Sequence, residues 1–144
     1  MVPSTMDSSS MAEVAREVLH LPKKKNRGKE EQEIFKSFFG ASTAIIAILW
    51  NLLLPHIDLN GAAPKHLLWS LVLLKVYSTT HVHCGIVGWL DPNTYRKWMW
   101  YFLEKISNLK DEVIKLDNQF IGYDGTTDCL MSLDCLDCMI NDPW

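Results

Sequence analysis

The segment at residues 64–77 constrains the fold more than any other part of the chain. Its sequence is PKHLLWSLVLLKVY, and its large apolar side chains would lie on nearly all sides of a helix. Pro64 stands where such a helix begins, since the N–H that proline lacks would be unpaired in the first turn. A helix without a polar face requires neighbours around it. We therefore expect this segment to be the central helix of a helical bundle.

Three further helices are expected before it, at residues 11–21, 29–39 and 45–54. In the first and third of these, apolar residues recur at steps of three and four, as they do along one face of a helix. Pro55 stops the third helix. The pattern predicts a mainly α fold, preceded by a frayed tail over the first ten residues.

The clearest helix start is the pair Asp91-Pro92, an N-cap residue followed by proline. This helix is expected to run to about residue 108. Six apolar or aromatic residues step by three and four along it and are expected to face the core: Tyr95, Trp98, Met99, Phe102, Leu103 and Ile106.

The opposite side of the same helix is polar and basic in its first two turns, at Asn93, Thr94, Arg96 and Lys97. Such side chains bind phosphates and base edges at the start of a DNA-recognition helix. The preceding residues 78–90 predict a short irregular helix or turn, so the order is that of a helix-turn-helix. On the residues alone, a solvated helix face explains this pattern at least as well.

Positive charge is concentrated near the N-terminus. Five of the 14 Lys and Arg residues lie at positions 23–29, among them Lys23, Lys24, Lys25 and Arg27, whereas nine of the 17 acidic residues follow position 103. The net charge of -3 excludes a uniformly basic nucleic-acid coat. The basic run is expected to be solvated. It suits a nuclear import signal, an arm that contacts phosphates, or a solubilising linker.

Residues 38–54 form a stretch of 17 residues without charge. A membrane-spanning helix requires about 20 apolar residues, and this stretch also contains Gly40, Ser42, Thr43 and Asn51. A buried core helix is therefore the favoured interpretation, and no membrane partner is expected. The alternative is a small membrane protein anchored by residues 38–54, with the basic run on the cytoplasmic side.

A zinc site is a second chemical candidate. His81, His83 and Cys84, together with Cys135 and Cys138, supply the nitrogen and sulfur ligands that zinc prefers. The first residues do not form a signal peptide, so the cysteines are expected to be reduced thiols. Packing and loop positions explain these residues as well, and that interpretation is favoured.

The C-terminal part predicts a loop rich in Gly and Asp at residues 118–127. A strand is expected at residues 129–134, ending in Asp134. Because a lone strand has no partner for its hydrogen bonds, the rest of its sheet is expected to lie outside this sequence.

Four runs in a fixed order give the chain a resemblance to a known family. They are LWNLL at residues 49–53, PKHLLWSLVLLKVY at 64–77, DPNTYRKWMWYF at 91–102 and DCLMSLD at 128–134. From about Phe35 to Asp137 the chain resembles the Harbinger-type transposases, which are DDE superfamily endonucleases of transposable elements. The specificity of this resemblance lies in the order of the runs.

The resemblance implies a nuclear protein whose helices form a helix-turn-helix region that binds the terminal DNA of the element. The outward residues of the Pro92 helix would face that DNA. It also implies that the strand at residues 129–134 begins an RNase H-like domain. Asp134 would then be the first of three catalytic carboxylates that bind Mg²⁺ or Mn²⁺.

The chain departs from the family after that aspartate, where Cys135-Leu136-Asp137 replaces Gly-Thr-Asp and the second Asp and the Glu are missing. We therefore expect a DNA-binding fragment that does not cleave DNA and needs no cofactor, with self-association left open. The expected parts are a flexible basic region (1–34), a helical DNA-binding-like domain (35–117) and the truncated start of a catalytic domain (118–144). A truncated gene model of a Mg²⁺-dependent transposase and a remnant without function are the alternatives.

Overall fold

The computed structural model describes residues 4–22, 28–88 and 90–113. Within them the chain is mainly helical, as predicted, and contains no strand. One compact unit ends at Leu109, and a second begins at Lys110. The helices are α1 (Ser8–Val18), α2 (Gly28–Phe39), α3 (Thr43–Leu53), α4 (Pro64–Lys75), α5 (Thr80–Ile86), α6 (Pro92–Asn108) and α7 (Lys110–Val113), with a 3-10 turn at Leu54–His56.

α4 lies at the centre of the first unit, as its apolar sequence predicts. It packs against α1, α2, α5 and α6, and every residue at positions 66–72 is buried. The last turn is less covered, since Leu74 is 54% exposed. Burial on all sides is therefore limited to residues 66–72 in the middle of the helix, where the neighbouring helices meet it from several sides.

α1 extends the core toward the N-terminus. It packs against α3 and α4, and its residues Met11 and Ala15 are fully buried. Asp7 caps the helix, because its Oδ1 accepts the N–H of Ser10 at 2.9 Å. Within the described residues 4–22, the structure therefore has a capped helix where a frayed start and a flexible region are expected. The physical reason is that apolar surface on α1 is removed from water when it covers α3 and α4.

The residues before α1 are held by side chains of α3. The N–H of Met6 donates to Oδ1 of Asn51, and Nδ2 of Asn51 donates to the carbonyl of Met6, both at 2.9 Å. The indole N–H of Trp50 donates to the carbonyl of Ser4 at 2.9 Å. The amide of Asn51 thus bonds extended backbone much as a neighbouring strand would, with one donor and one acceptor.

α1 ends in a Schellman motif whose left-handed residue is His20, with a φ of 52°. The N–H of Leu21 donates to the carbonyl of Arg16 at 2.9 Å, and the N–H of His20 donates to that of Glu17 at 3.2 Å. A residue with a Cβ is strained in this conformation, and glycine is not.

We expect His20→Gly to raise the free energy of unfolding by about 1 kcal/mol, because it removes this strain from an exposed position. Urea unfolding followed by circular dichroism measures the change as a higher midpoint at constant slope. His20→Ala is the matched control, since it removes the imidazole but keeps the Cβ. An equal gain in both variants would show that the ring, and not the backbone, is the source of the effect.

α3 is buried on one side only. Ile46, Trp50 and Leu53 lie in the core, whereas Ile45 and Ile48 are exposed. No single helix among the described residues is long and apolar enough to cross a membrane. One pair of helical segments is long and apolar enough when its members are taken together, by length and composition only. The pair consists of α2 and Thr43–His56, and its two members are bent by 51° relative to each other.

Candidate nucleic-acid interface

α6 is fixed on α4 by two buried hydrogen bonds between the helices. The hydroxyl of Tyr95 donates to the carbonyl of Trp69 at 3.0 Å, and the hydroxyl of Ser70 donates to the carbonyl of Met99 at 3.1 Å. Burial raises the pKa of Tyr95 far above its ordinary value, so the phenol keeps the proton that it donates. These bonds set the rotation of α6 about its axis and therefore determine which side chains face outward.

The inward face of α6 agrees with its predicted periodicity. Tyr95, Met99 and Phe102 are buried. The other predicted core residues are partly buried and pack against the core: Trp98, Leu103 and Ile106. α6 begins at Pro92 and ends at Asn108, as the capping signal and the apolar pattern predict.

The first turn of α6 is closed by Asp91. Its Oδ2 accepts the N–H of Thr94 at 2.9 Å and the hydroxyl of Thr94 at 3.3 Å. The predicted DNA-contacting residue Thr94 therefore already uses its hydroxyl proton in the cap. Of the four residues predicted on this face, it is the one with the least capacity to donate to a ligand.

The other three predicted residues, Asn93, Arg96 and Lys97, are exposed on the first two turns of α6. Arg96 forms no hydrogen bond or ion pair with any residue that the structure describes. The ammonium of Lys97 lies 5.5 Å from the centroid of the Trp98 ring. The structure thus brings these three residues together on one short surface, where the guanidinium of Arg96 has no partner among the described residues.

Trp100 belongs to the same surface. It is absent from the sequence prediction, because that prediction covers only the first two turns of α6. It lies four residues after Arg96 and three after Lys97, so one helical turn separates it from both. Its side chain is 64% exposed. Extending the helical spacing by one turn identifies it from sequence. The next residue at that spacing is the exposed Glu104, where the basic surface ends.

Trp98 is held beneath this surface by His66 of α4. The two rings are stacked, with centroids 4.0 Å apart and planes 5° from parallel. Nδ1 of His66 accepts the N–H of Ala63 at 3.1 Å. Burial, and to a smaller extent the charge of Lys65, lower the pKa of His66 to about 4. His66 is therefore neutral at neutral pH, which its accepting Nδ1 also requires.

Residues 78–90, where a short irregular helix or turn is predicted, contain the helix α5 (Thr80–Ile86) and a turn at residues 87–88. α5 packs against α4 and α6. In the turn that follows, Gly88 has a φ of 110°, a conformation that side-chain-bearing residues rarely adopt. A Cβ at Gly88 would also lie 2.5 Å from Nε2 of His20. Glycine at this turn therefore allows α1 and the α5–α6 connection to approach closely.

The zinc candidate is not assembled among the described residues. His83 is fully buried, and its Nε2 lies 2.7 Å from the carbonyl of Val76, to which it donates. His81, two positions earlier on α5, is exposed, because residues spaced by two lie on different sides of a helix. Burial raises the pKa of the Cys84 thiol. Residues 4–22, 28–88 and 90–113 contain no group of three or more His, Cys, Asp or Glu that suits a metal ion.

Several predicted features fall outside the described residues. They are the basic residues Lys23, Lys24, Lys25 and Arg27, the cysteines Cys135 and Cys138, the loop at 118–127, the strand at 129–134 and the carboxylate of Asp134. Comparisons with family models, with curated proteins and with solved structures give no match to the chain. The resemblance to Harbinger-type transposases therefore rests on the order of the four sequence runs.

Proposed function

We propose that this chain is the DNA-binding part of a Harbinger-type transposase and that it contacts DNA through the outward face of α6. The observation that carries the proposal is the guanidinium of Arg96, which has no hydrogen bond or ion pair with the described residues and lies beside Lys97 on a helix that buried hydrogen bonds hold in place. A rigid helix fixes the backbone from which these side chains extend before DNA arrives, so little backbone entropy is lost on binding.

Each residue of this surface has a chemistry that suits DNA. Arg96 presents a planar fork of donors that matches two phosphate oxygens or the O6 and N7 acceptors of guanine. Lys97 supplies a point charge for a phosphate, and Asn93 presents the donor and acceptor that pair with adenine. The order of α5, a turn with Gly88, and α6 supports a helix-turn-helix in which α6 enters the major groove.

Acidic residues limit how DNA can lie on this surface. Asp91 precedes Asn93 at one end, and the exposed Glu104 follows Trp100 at the other. Phosphates near either carboxylate would be repelled, so the backbone must approach between them. The length of α6 available to DNA is thus about three turns.

The proposal extends to the basic residues at positions 23–27 and to a location in the nucleus. Lysines and arginines near the N-terminus would add phosphate contacts that do not depend on base sequence. The α6 surface is formed by the exposed residues Asn93, Arg96, Lys97 and Trp100. Binding through this surface requires no metal ion. The Mg²⁺ site that the resemblance assigns to Asp134 therefore has no role in this proposal.

The double variant Arg96→Ala/Lys97→Ala tests the proposed binding of DNA by α6. We expect the variant to bind duplex DNA about 10–100-fold more weakly than the wild type at low salt, because two direct contacts are lost. In a plot of the logarithm of the binding constant against the logarithm of salt concentration, the slope of the variant should be smaller in magnitude by about 2, since fewer counterions are released. Fluorescence anisotropy with labelled duplex at several salt concentrations measures both quantities.

Lys36→Ala/Lys75→Ala is the matched control, because it removes the same charge from exposed lysines of α2 and α4. This variant should bind with an affinity close to that of the wild type. An equal loss in both double variants would mean that net charge, and not the α6 surface, governs binding. Absence of DNA binding by the wild type at low salt would overturn the proposal.

A further inference from the structure

Trp100 gives the α6 surface a property that its basic residues lack. Its indole is 64% exposed between the turn of Arg96 and Lys97 and the turn of Glu104. It forms no ring–ring or cation–π contact with any other residue that the structure describes. Trp98, two positions earlier, forms three, with His66, Tyr101 and Lys97. Most of the Trp100 surface is therefore accessible to a ligand.

An indole recognises the face of a base better than its edge. It has a single hydrogen-bond donor and no acceptor, so it cannot match the donor and acceptor patterns in a groove. It stacks on any base, however, because every base has a π-face. In an intact duplex those faces are covered by the neighbouring base pairs. A ligand whose bases are unpaired therefore gains most from Trp100.

We propose that Trp100 stacks on unpaired bases, so that the α6 surface binds single-stranded or locally opened DNA more tightly than intact duplex. This inference rests on the proposed DNA-binding function and adds the class of DNA that the site prefers. The positions of the charges support it, because Arg96 and Lys97 lie one turn from the indole and can pair with the phosphates beside a stacked base. The ammonium of Lys97 lies 5.5 Å from the centroid of the Trp98 ring and forms no cation–π contact with Trp100.

The test compares one labelled oligonucleotide as a single strand, as a duplex, and as a duplex with one unpaired base at its centre. The full chain is measured as the wild type and as the variants Trp100→Ala, Trp100→Phe and Arg96→Ala/Lys97→Ala. We expect Trp100→Ala to bind the single strand and the opened duplex about tenfold more weakly, as expected for the loss of one stacked base. Binding to intact duplex should change little, and Trp100→Phe should retain most of the affinity because phenylalanine still stacks.

The outcomes separate this inference from the proposed function. Equal losses on the single strand and the duplex with Trp100→Ala, or no loss on either, overturn the stacking role. If Arg96→Ala/Lys97→Ala still weakens binding to every form of the DNA, the proposed DNA binding through α6 stands without the stacking role of Trp100. A wild-type chain that binds none of the three forms overturns both proposals. A thermal melt of Trp100→Ala that matches the wild type ensures that the comparison is made on folded protein.

Discussion

Replacing Phe102 by Ala is expected to lower the free energy of unfolding by about 3–5 kcal/mol. The phenyl ring is 0% exposed, and its centroid lies 6.1 Å from the Trp50 ring of α3 and 5.3 Å from that of Tyr101. Its removal therefore takes away buried apolar surface and leaves a cavity among aromatic side chains that cannot close around it. Urea unfolding followed by circular dichroism gives the change in free energy.

Trp100→Ala is the matched control, because it removes an aromatic ring of similar chemistry two residues away on the same helix. Trp100 is mostly exposed, and alanine favours a helix slightly more than tryptophan does. The stability of this variant should lie within about 0.5 kcal/mol of the wild type. If both substitutions destabilise the chain to the same extent, the rotation of α6 described above is wrong, and with it the identity of the outward face.

Acidification from about pH 7 to about pH 4 is expected to destabilise the fold by up to about 3 kcal/mol through His66 alone. The pKa of His66 is lowered from 6.5 to about 4 in the folded chain, chiefly by burial. Above 6.5 the residue is neutral in both states, and the stability is fully present. As the pH falls below 6.5, the unfolded chain binds a proton that the folded chain excludes, so stability is lost down to about pH 4.

His66→Asn isolates this contribution. Asparagine does not titrate, and its carbonyl oxygen can still accept the N–H of Ala63. The variant should be less stable at neutral pH, because it loses the stacked contact with Trp98, but the difference from the wild type should shrink as the pH falls toward 4. Unfolding free energies measured by urea titration at a series of pH values give the two curves. A difference that stays constant with pH would contradict a lowered pKa at His66.

Local signals predict most of the helical order. The Asp91-Pro92 pair and the steps of three and four after it locate α6 and its buried face, and the uniform apolar character of α4 predicts its central position. These features are visible in sequence because caps and periodicity depend on residues within about one turn of each other. The outward positions of Asn93, Arg96 and Lys97 follow from the same spacing.

The contacts that join distant parts of the chain are not visible in the same way. The pairing of Asn51 with the backbone of Met6 and the stacking of His66 on Trp98 join residues that no local pattern relates. The core position of α1 depends on surfaces of α3 and α4 that exist only after folding. The predictions for the strand at residues 129–134 and for Asp134 remain predictions.

The central position of α4 has a consequence for synthesis of the chain on the ribosome. Two of its neighbours, α1 and α2, are made before it, whereas α5 and α6 are made after it. The 33 residues that follow Lys75, up to Asn108, take about 2–7 s to add at usual rates of elongation. α4 therefore leaves the exit tunnel before α6 by about the same delay. The surface of α4 that α6 will cover is exposed meanwhile, so the nascent chain presents a transient binding site for chaperones until α6 has emerged.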